Sequence, residues 1–272
     1  MAHLPSLYLP HGGGPCFFMD WTMGPPDTWD DMAAFLRAVP EHVGARPSAV
    51  LVVSAHWETP VVTVTAQQRP SLLYDYYGFP PHTYELDYAA PGDPGLAGAV
   101  CDLLAARGIE AALEHERGLD HGVFIPFKLI YPQADLPVVE MSLRADLDPA
   151  FHLRVGRALA PLRAQGVLIA GSGMSYHNNR ALLGGADPGP DSAAFDDWLQ
   201  AACTAPRAQR DAELAQWSQA PAAHAAHPRE EHLLPLMVAA GAGDDAGGEC
   251  IYAGSVLGAR VSGWRFGVPA HG

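Results

Sequence analysis

The chain alternates short apolar runs with stretches of helical period. Ala49-Val50-Leu51-Val52-Val53 is uninterrupted, rich in β-branched residues and preceded by Arg46-Pro47-Ser48. A run of that kind between turn residues predicts a strand buried on both faces, as in a parallel sheet. Ser6–Leu9 and Val167–Ala170 read the same way, and residues 61–65, 109–113 and 136–143 predict further strands. Between them the period changes to 3.6. Asp27–Val39 places Trp29, Met32, Phe35 and Leu36 on one face, and Pro94–Arg107 does so with Leu96, Val100, Leu103 and Leu104 before Gly108. Asp148 and Pro149 cap a third helix, whose Phe151, Val155, Leu159 and Leu162 face inward. A short helix is predicted over 123–131, one or two helices within 192–219, and closing strands within 251–268. A last helix is predicted to open at His227-Pro228 and to carry Glu230, Glu231, His232, Leu233, Leu236 and Met237. The alternation predicts an α/β fold: a single domain, 1–272, with a mainly parallel central sheet flanked by helices.

In open α/β sheets ligands bind at the carboxyl ends of the strands. Three predicted strands deliver histidines there. Ser6–Leu9 runs into Pro10-His11-Gly12-Gly13-Gly14, and Ala49–Val53 into Ser54-Ala55-His56-Trp57. Val167–Ala170 runs into Gly171-Ser172-Gly173, with His177 just beyond. Neutral imidazoles on rigid strand ends suit a metal, and the glycines after His11 let backbone and ligand approach closely. The segment 72–94 sets Tyr74, Tyr76, Tyr77, Phe79, Tyr84 and Tyr88 among four prolines. It reads either as a functional loop or as an Ω-loop packed by its own rings.

Composition narrows the classes. The net charge is −14 and basic residues never cluster, which excludes a nucleic-acid footprint. No apolar stretch approaches the roughly eighteen residues of a membrane span. The start, Met1-Ala2-His3-Leu4-Pro5, lacks the features of a signal peptide, so a cytoplasmic protein is expected. Cys16, Cys101, Cys203 and Cys250 are widely spaced and form no CxxC, as for free thiols in a reducing compartment. Of the thirteen histidines, His3, His42, His115, His152, His224, His227 and His271 are expected to be solvated.

Five motifs occur in order: Leu9-Pro10-His11-Gly12, Ser54-Ala55-His56-Trp57, Gly118-Leu119-Asp120-His121-Gly122, Ser172 to Asn178 with its Tyr176-His177, and Glu231-His232-Leu233-Leu234-Pro235-Leu236. Together they resemble the DODA-type class III extradiol ring-opening dioxygenases of the LigB superfamily. The segments Tyr77-Gly78-Phe79-Pro80-Pro81 and Ala90-Pro91-Gly92 are similar to that family as well. The resemblance covers nearly the whole chain. It implies a non-haem metal held by His11, His56 and a third ligand from the last helix. The matching position is His232; the alternative, Glu231, would lie about 100° away along a helix. Fe(II) is the implied ion for activity, and an all-histidine site also suits Zn(II) as the ion of a purified sample. The implied substrates are a small aromatic diol and O2, opened beside one hydroxyl. His177 matches the acid/base position, with a fourth-ligand role as its alternative. His121 is a candidate hydrogen-bond donor to substrate, unless Asp120 and His121 pair only to fix a turn. Asp120, Asn178 and His82 complete the candidate substrate contacts, and Lys128 and Arg180 are candidates to meet a substrate carboxylate. Two other classes stay open: a zinc hydrolase using Glu58 or Glu231 as base, and a non-catalytic metal-binding protein on the same fold.

Overall fold

The computed structural model describes residues 3–184 and 187–268; His271 lies outside them. In chain order the elements are β1 (Ser6–Pro10), α1 (Asp30–Val43), β2 (Ala49–Thr59), β3 (Val62–Thr65), α2 (Pro94–Ala105), β4 (Ala111–Glu114), α3 (His121–Ile130), β5 (Val138–Arg144), α4 (Pro149–Leu159), the short α5 (Pro161–Ala164) and β6 (Val167–Gly173). There follow α6 (Asn179–Leu183), α7 (Gly189–Thr204), α8 (Arg207–Ala215), α9 (Ala223–Ala226), α10 (Leu234–Ala242), β7 (Glu249–Val256) and β8 (Ala259–Phe266). The strands form one eight-stranded sheet in the order β4-β3-β5-β2-β6-β1-β8-β7. Its centre, β5-β2-β6-β1, is parallel throughout. Antiparallel pairing enters only outside that block, where β3 joins β5 and where β8 joins β1 and β7.

The central strands behave as their apolar runs require. Val50 to Val53 and Leu168 to Ala170 are fully buried, covered by helices on both faces. In register, Ser54 of β2 lies beside Ser172 of β6, and Pro10 of β1 beside Gly173, so three strand ends meet in one place.

Of the expected boundaries that move, two matter for chemistry. β2 does not stop before His56; it runs on to Thr59 with an irregularity against β5 between Val53 and Glu58. Such a bulge re-aims the side chains it carries, here those of Ala55, His56 and Trp57. The last helix does not open at His227. It opens at Leu234, where Pro235 occupies the first turn and needs no N–H partner. Residues 227–233 are therefore turns, and the separation of Glu231 from His232 by a helical step does not hold.

His152 and His227, expected to be solvated, are buried. The His152 Nδ1–H donates to the Asp148 carbonyl (2.7 Å) and Nε2 accepts from the Arg144 N–H (3.1 Å), a pattern only the neutral ring satisfies. Burial holds its pKa at about 4, against about 6.5 unfolded. With the native value depressed, the stability is complete above pH 6.5 and is lost as pH falls towards 4. We expect His152 to account for about 2–3 kcal/mol of lost stability by pH 4.5. Urea unfolding at pH 7 and pH 4.5 measures it, with His152→Gln expected to show a drop smaller by that amount.

Candidate metal centre

His11 leaves the end of β1 with its N–H bonded to the Gly173 carbonyl (3.1 Å). The Ser172 hydroxyl donates to the Gly122 carbonyl, so its oxygen is left to accept from the His11 Nδ1–H (2.9 Å). That assignment of protons points the bare Nε2 of His11 away from the strand. Gly12, at φ +84°, makes the turn; a Cβ there would stand 2.6 Å from Cys16 Sγ.

His56 is held from behind by a buried polar cluster. Its N–H meets Ser54 Oγ (3.1 Å), and the Ser54 hydroxyl donates to Asp120 (2.8 Å). Arg117 pairs with Asp120 (3.0 Å), while Glu140 Oε2 accepts the Asp120 N–H (3.1 Å). Asp120 and Glu140 are both fully buried. Burial first, and the Asp120 charge second, push the Glu140 carboxyl well above its ordinary range. Arg117 Nε also lies 3.7 Å from Glu140 Oε1, so one guanidinium faces both carboxyl groups.

His232 sits in the turn before α10. Its carbonyl accepts from Tyr8 OH (2.7 Å) and from the Met174 N–H (3.2 Å). Its Nδ1–H donates to Glu231 Oε1 (2.8 Å), again leaving Nε2 bare. Gly173 makes this packing possible: a Cβ on it would lie 2.1 Å from the His232 carbonyl oxygen. We expect Gly173→Ala to cost about 1–3 kcal/mol and to displace His232, seen as a lower thermal midpoint together with reduced metal content.

Three imidazole nitrogens converge. His11 Nε2 and His56 Nε2 are 3.1 Å apart, and one donor atom from each of His11, His56 and His232 falls within a 4.8 Å spread. Nitrogens sharing one ion at roughly 2.1 Å stand at most about 4.2 Å apart, so the His11–His56 pair already fits. Burial, then the neighbouring imidazoles, hold His11 and His232 well below the usual histidine range; burial likewise brings His56 to about 4. All three are neutral donors at pH 7, which a metal requires.

Two further histidines complete the group. His121 opens α3, and Asp75 Oδ1 accepts both its Nδ1–H (2.7 Å) and its backbone N–H (3.0 Å). Burial would raise the Asp75 carboxyl, but the hydrogen bonds and charge of His121 outweigh it and hold it low. The His121 ring lies 3.9 Å from that of His56. His177 stacks on His232 at 3.3 Å, with Nδ1 3.3 Å from Glu231 Oε1 and Nε2 3.4 Å from Asn179 Nδ2.

All five imidazoles line one cavity of about 360 Å³. Tyr76, Tyr77 and Phe79 of the long loop reach it, whereas Tyr74 bonds the Leu86 carbonyl, so the loop both packs on itself and walls the site. Several expected contacts lie elsewhere. Asp120 is sealed behind His56 and does not pair with His121, whose partner is Asp75. Asn178 caps α6 and bonds the Ala225 carbonyl; Asn179 is the amide beside His177. His82 is exposed and bonds the Phe18 carbonyl outside the cavity. Lys128 bonds the Asp87 carbonyl, Arg180 is exposed on α6, and neither lines the cavity. Glu58 is clamped by both Arg229 nitrogens, and Glu231 is bound to its histidines. Asp75, Ser172 and Asn179 were missed. The signal available for Asp75 was its place as the one carboxylate between Leu72 and Phe79.

Residues 4–259 match the family described as catalytic LigB subunit of aromatic ring-opening dioxygenase. The chain belongs to the LigB family. Among its relatives, the dioxygenase tasH of Hapsidospora irregularis is 38% identical, over 89% of this chain and 79% of its own. The 4,5-DOPA dioxygenase extradiol of Beta vulgaris is 41% identical, over 76% and 78%. The crystal structure of the uncharacterized protein JW3007 from Escherichia coli K12 superposes with a TM-score of 0.77 at 30% identity, covering 97% of this chain and all of that one. This LigB protein is a DODA-type extradiol ring-cleaving dioxygenase. Members of the family depend on a metal, and this chain carries a histidine-rich site fit to hold one. Among the described residues no helix is long and apolar enough to cross a membrane.

Proposed function

We propose that His11, His56 and His232 hold a single divalent ion, iron(II) in the working enzyme, and that the substrate is a catechol. The observation that carries this reading is the meeting of three neutral imidazole nitrogens, from buried His11 and His232 and half-buried His56, in an aromatic-walled cavity. Bound there, ferrous iron would supply a Lewis-acid and redox centre for the diol and dioxygen, with Zn(II) able to occupy the same donors. The chain's own groups do the rest. Ser172 and Glu231 keep the tautomers of His11 and His232, and the Ser54–Asp120 cluster holds the His56 backbone from which its ring is aimed. His177 takes a proton from a catechol hydroxyl and returns it during ring opening, Glu231 stabilising its charged form. His121, oriented by Asp75, hydrogen-bonds the diol. Tyr76 and Phe79 press on the ring and exclude water. The relatives named for 4,5-DOPA make that catechol the first to try.

A hydrolytic reading needs a free carboxylate base in the cavity. Glu58 is paired with Arg229, Glu231 with His232 and His177, and no carboxylate is among the cavity-lining residues.

The test is oxygen uptake after anaerobic loading with ferrous ion. We expect one O2 consumed per catechol and a yellow ring-opened product. Absence of uptake across several catechols contradicts the proposal.

A further inference from the structure

The cavity that carries the imidazoles changes character towards solvent. Beyond the histidines its walls are Trp21, Trp29, Met174 and Tyr176, and its mouth is Met23, Tyr77, Leu183 and Leu257. Among the described residues five large hydrophobic side chains are strongly exposed: Met23, Tyr77, Leu113, Leu183 and Val268. Three of those five stand at this one mouth, with Tyr77 at 91% exposure and Leu183 at 57%. Single exposed apolar residues need no explanation, but a cluster around a cavity marks a surface meant to be covered.

The second observation concerns charge. None of the residues lining the cavity is Lys, Arg, Asp or Glu. The residues outside the described set (Met1, Ala2, Gly185, Ala186 and 269–272) include no Lys or Arg that could add one. The basic groups considered for a substrate carboxylate lie elsewhere: Lys128 bonds the Asp87 carbonyl and Arg180 is exposed on α6 outside the cavity lining. A carboxylate drawn into such a mouth would lose water with no cation in return, and the chain's charge of −14 opposes its approach. The third observation is size. A single catechol ring at the imidazoles leaves much of about 360 Å³ unfilled, a volume within the range of pockets for larger organic ligands.

We infer that the natural substrate is a catechol bearing a bulky, uncharged, apolar substituent that runs from the imidazoles to Met23, Tyr77 and Leu183. It is not a catechol whose side chain ends in a carboxylate. This rests on the catechol reading above and departs from what the names of the 4,5-DOPA relatives suggest.

The experiment uses the full chain loaded with ferrous ion and measures kcat/KM by oxygen uptake for catechol, 4-hexylcatechol and 3,4-dihydroxyphenylacetate. The expected order is hexylcatechol above catechol above dihydroxyphenylacetate. Each methylene buried is worth up to about fourfold, so the hexyl compound should exceed catechol by at least about tenfold, chiefly through KM. Tyr77→Arg places a cation at the mouth on a fully solvent-facing position. It should raise kcat/KM for dihydroxyphenylacetate by about tenfold and lower it for hexylcatechol. If catechol is opened but the order differs, the substrate class inferred here is wrong while the ring-opening reading stands. If none of the three is opened, the catechol reading itself falls and this inference with it.

Discussion

Alanine at His11, His56 or His232 is expected to abolish metal retention and ring opening together. His11 and His232 are buried and His56 half-buried, and each has its Nδ1 hydrogen committed or its aim fixed from behind: His11 by Ser172, His232 by Glu231, His56 through the Ser54–Asp120 cluster. Loss of a partner that merely orients a ligand typically costs 10- to 100-fold in metal affinity. Loss of one of three ligands should cost more than that. Metal analysis of the purified variants should find only traces, and anaerobic ferrous loading should not restore oxygen uptake. The same reasoning orders the supporting residues: Ser172→Ala and Ser54→Ala should bind metal about 10- to 100-fold more weakly yet still turn over when iron is in excess. A variant such as His232→Ala that keeps both metal and turnover would remove that residue from the ligand set.

His177→Ala is expected to do something different: keep the metal and lose about 10²- to 10⁴-fold in kcat, the usual contribution of general acid–base catalysis. Its ring lies flat on His232, so it is within reach of whatever binds beside that ligand, and its two nitrogens face Glu231 and Asn179. Burial raises the Glu231 carboxyl, but its hydrogen bond to His177 and the nearby positive groups hold it below the ordinary range. It therefore stays anionic at pH 7 beside the His177 ring. Glu231→Gln should lower kcat, since a neutral amide no longer places a negative charge 3.3 Å from His177 Nδ1. His121→Ala should also retain metal, but with its cost falling mainly on KM, because Asp75 and His121 form a hydrogen-bonding arm from the aromatic loop. Loss of metal from His177→Ala would make it a ligand, through the group it forms with Glu231 and His232.

Much of this architecture can be read from hydrophobic pattern alone. The buried runs around Val50 to Val53 and Leu168 to Ala170 admit little besides central parallel strands, and strands of that kind end where ligands bind. His11, His56 and His177 follow from those ends. What pattern does not encode is how the chain turns once a run stops. The bulge at Ser54 to Trp57 lets β2 continue past His56, and no periodicity announces it. In a helix opening at His227, Pro235 would stand two turns inside, where its missing N–H and its ring disfavour the helix; the helix begins beside it instead, and Glu231 comes to the side of His232. Partners across long sequence gaps were equally hidden. Asp75 reaches His121 from a loop whose conformation depends on ring packing, and Asp120 looked like a site residue because it precedes His121, whereas its carboxylate faces Arg117 and Ser54.

The most direct measurement is a crystal structure of the metal-loaded protein with anomalous scattering collected at the metal edge. The expected result is one peak per chain at roughly 2.0–2.3 Å from the Nε2 atoms of His11, His56 and His232, with the remaining positions turned towards Tyr76 and His177. A peak seated instead among His177, Glu231 and His232, with His11 and His56 beyond bonding distance, would contradict it.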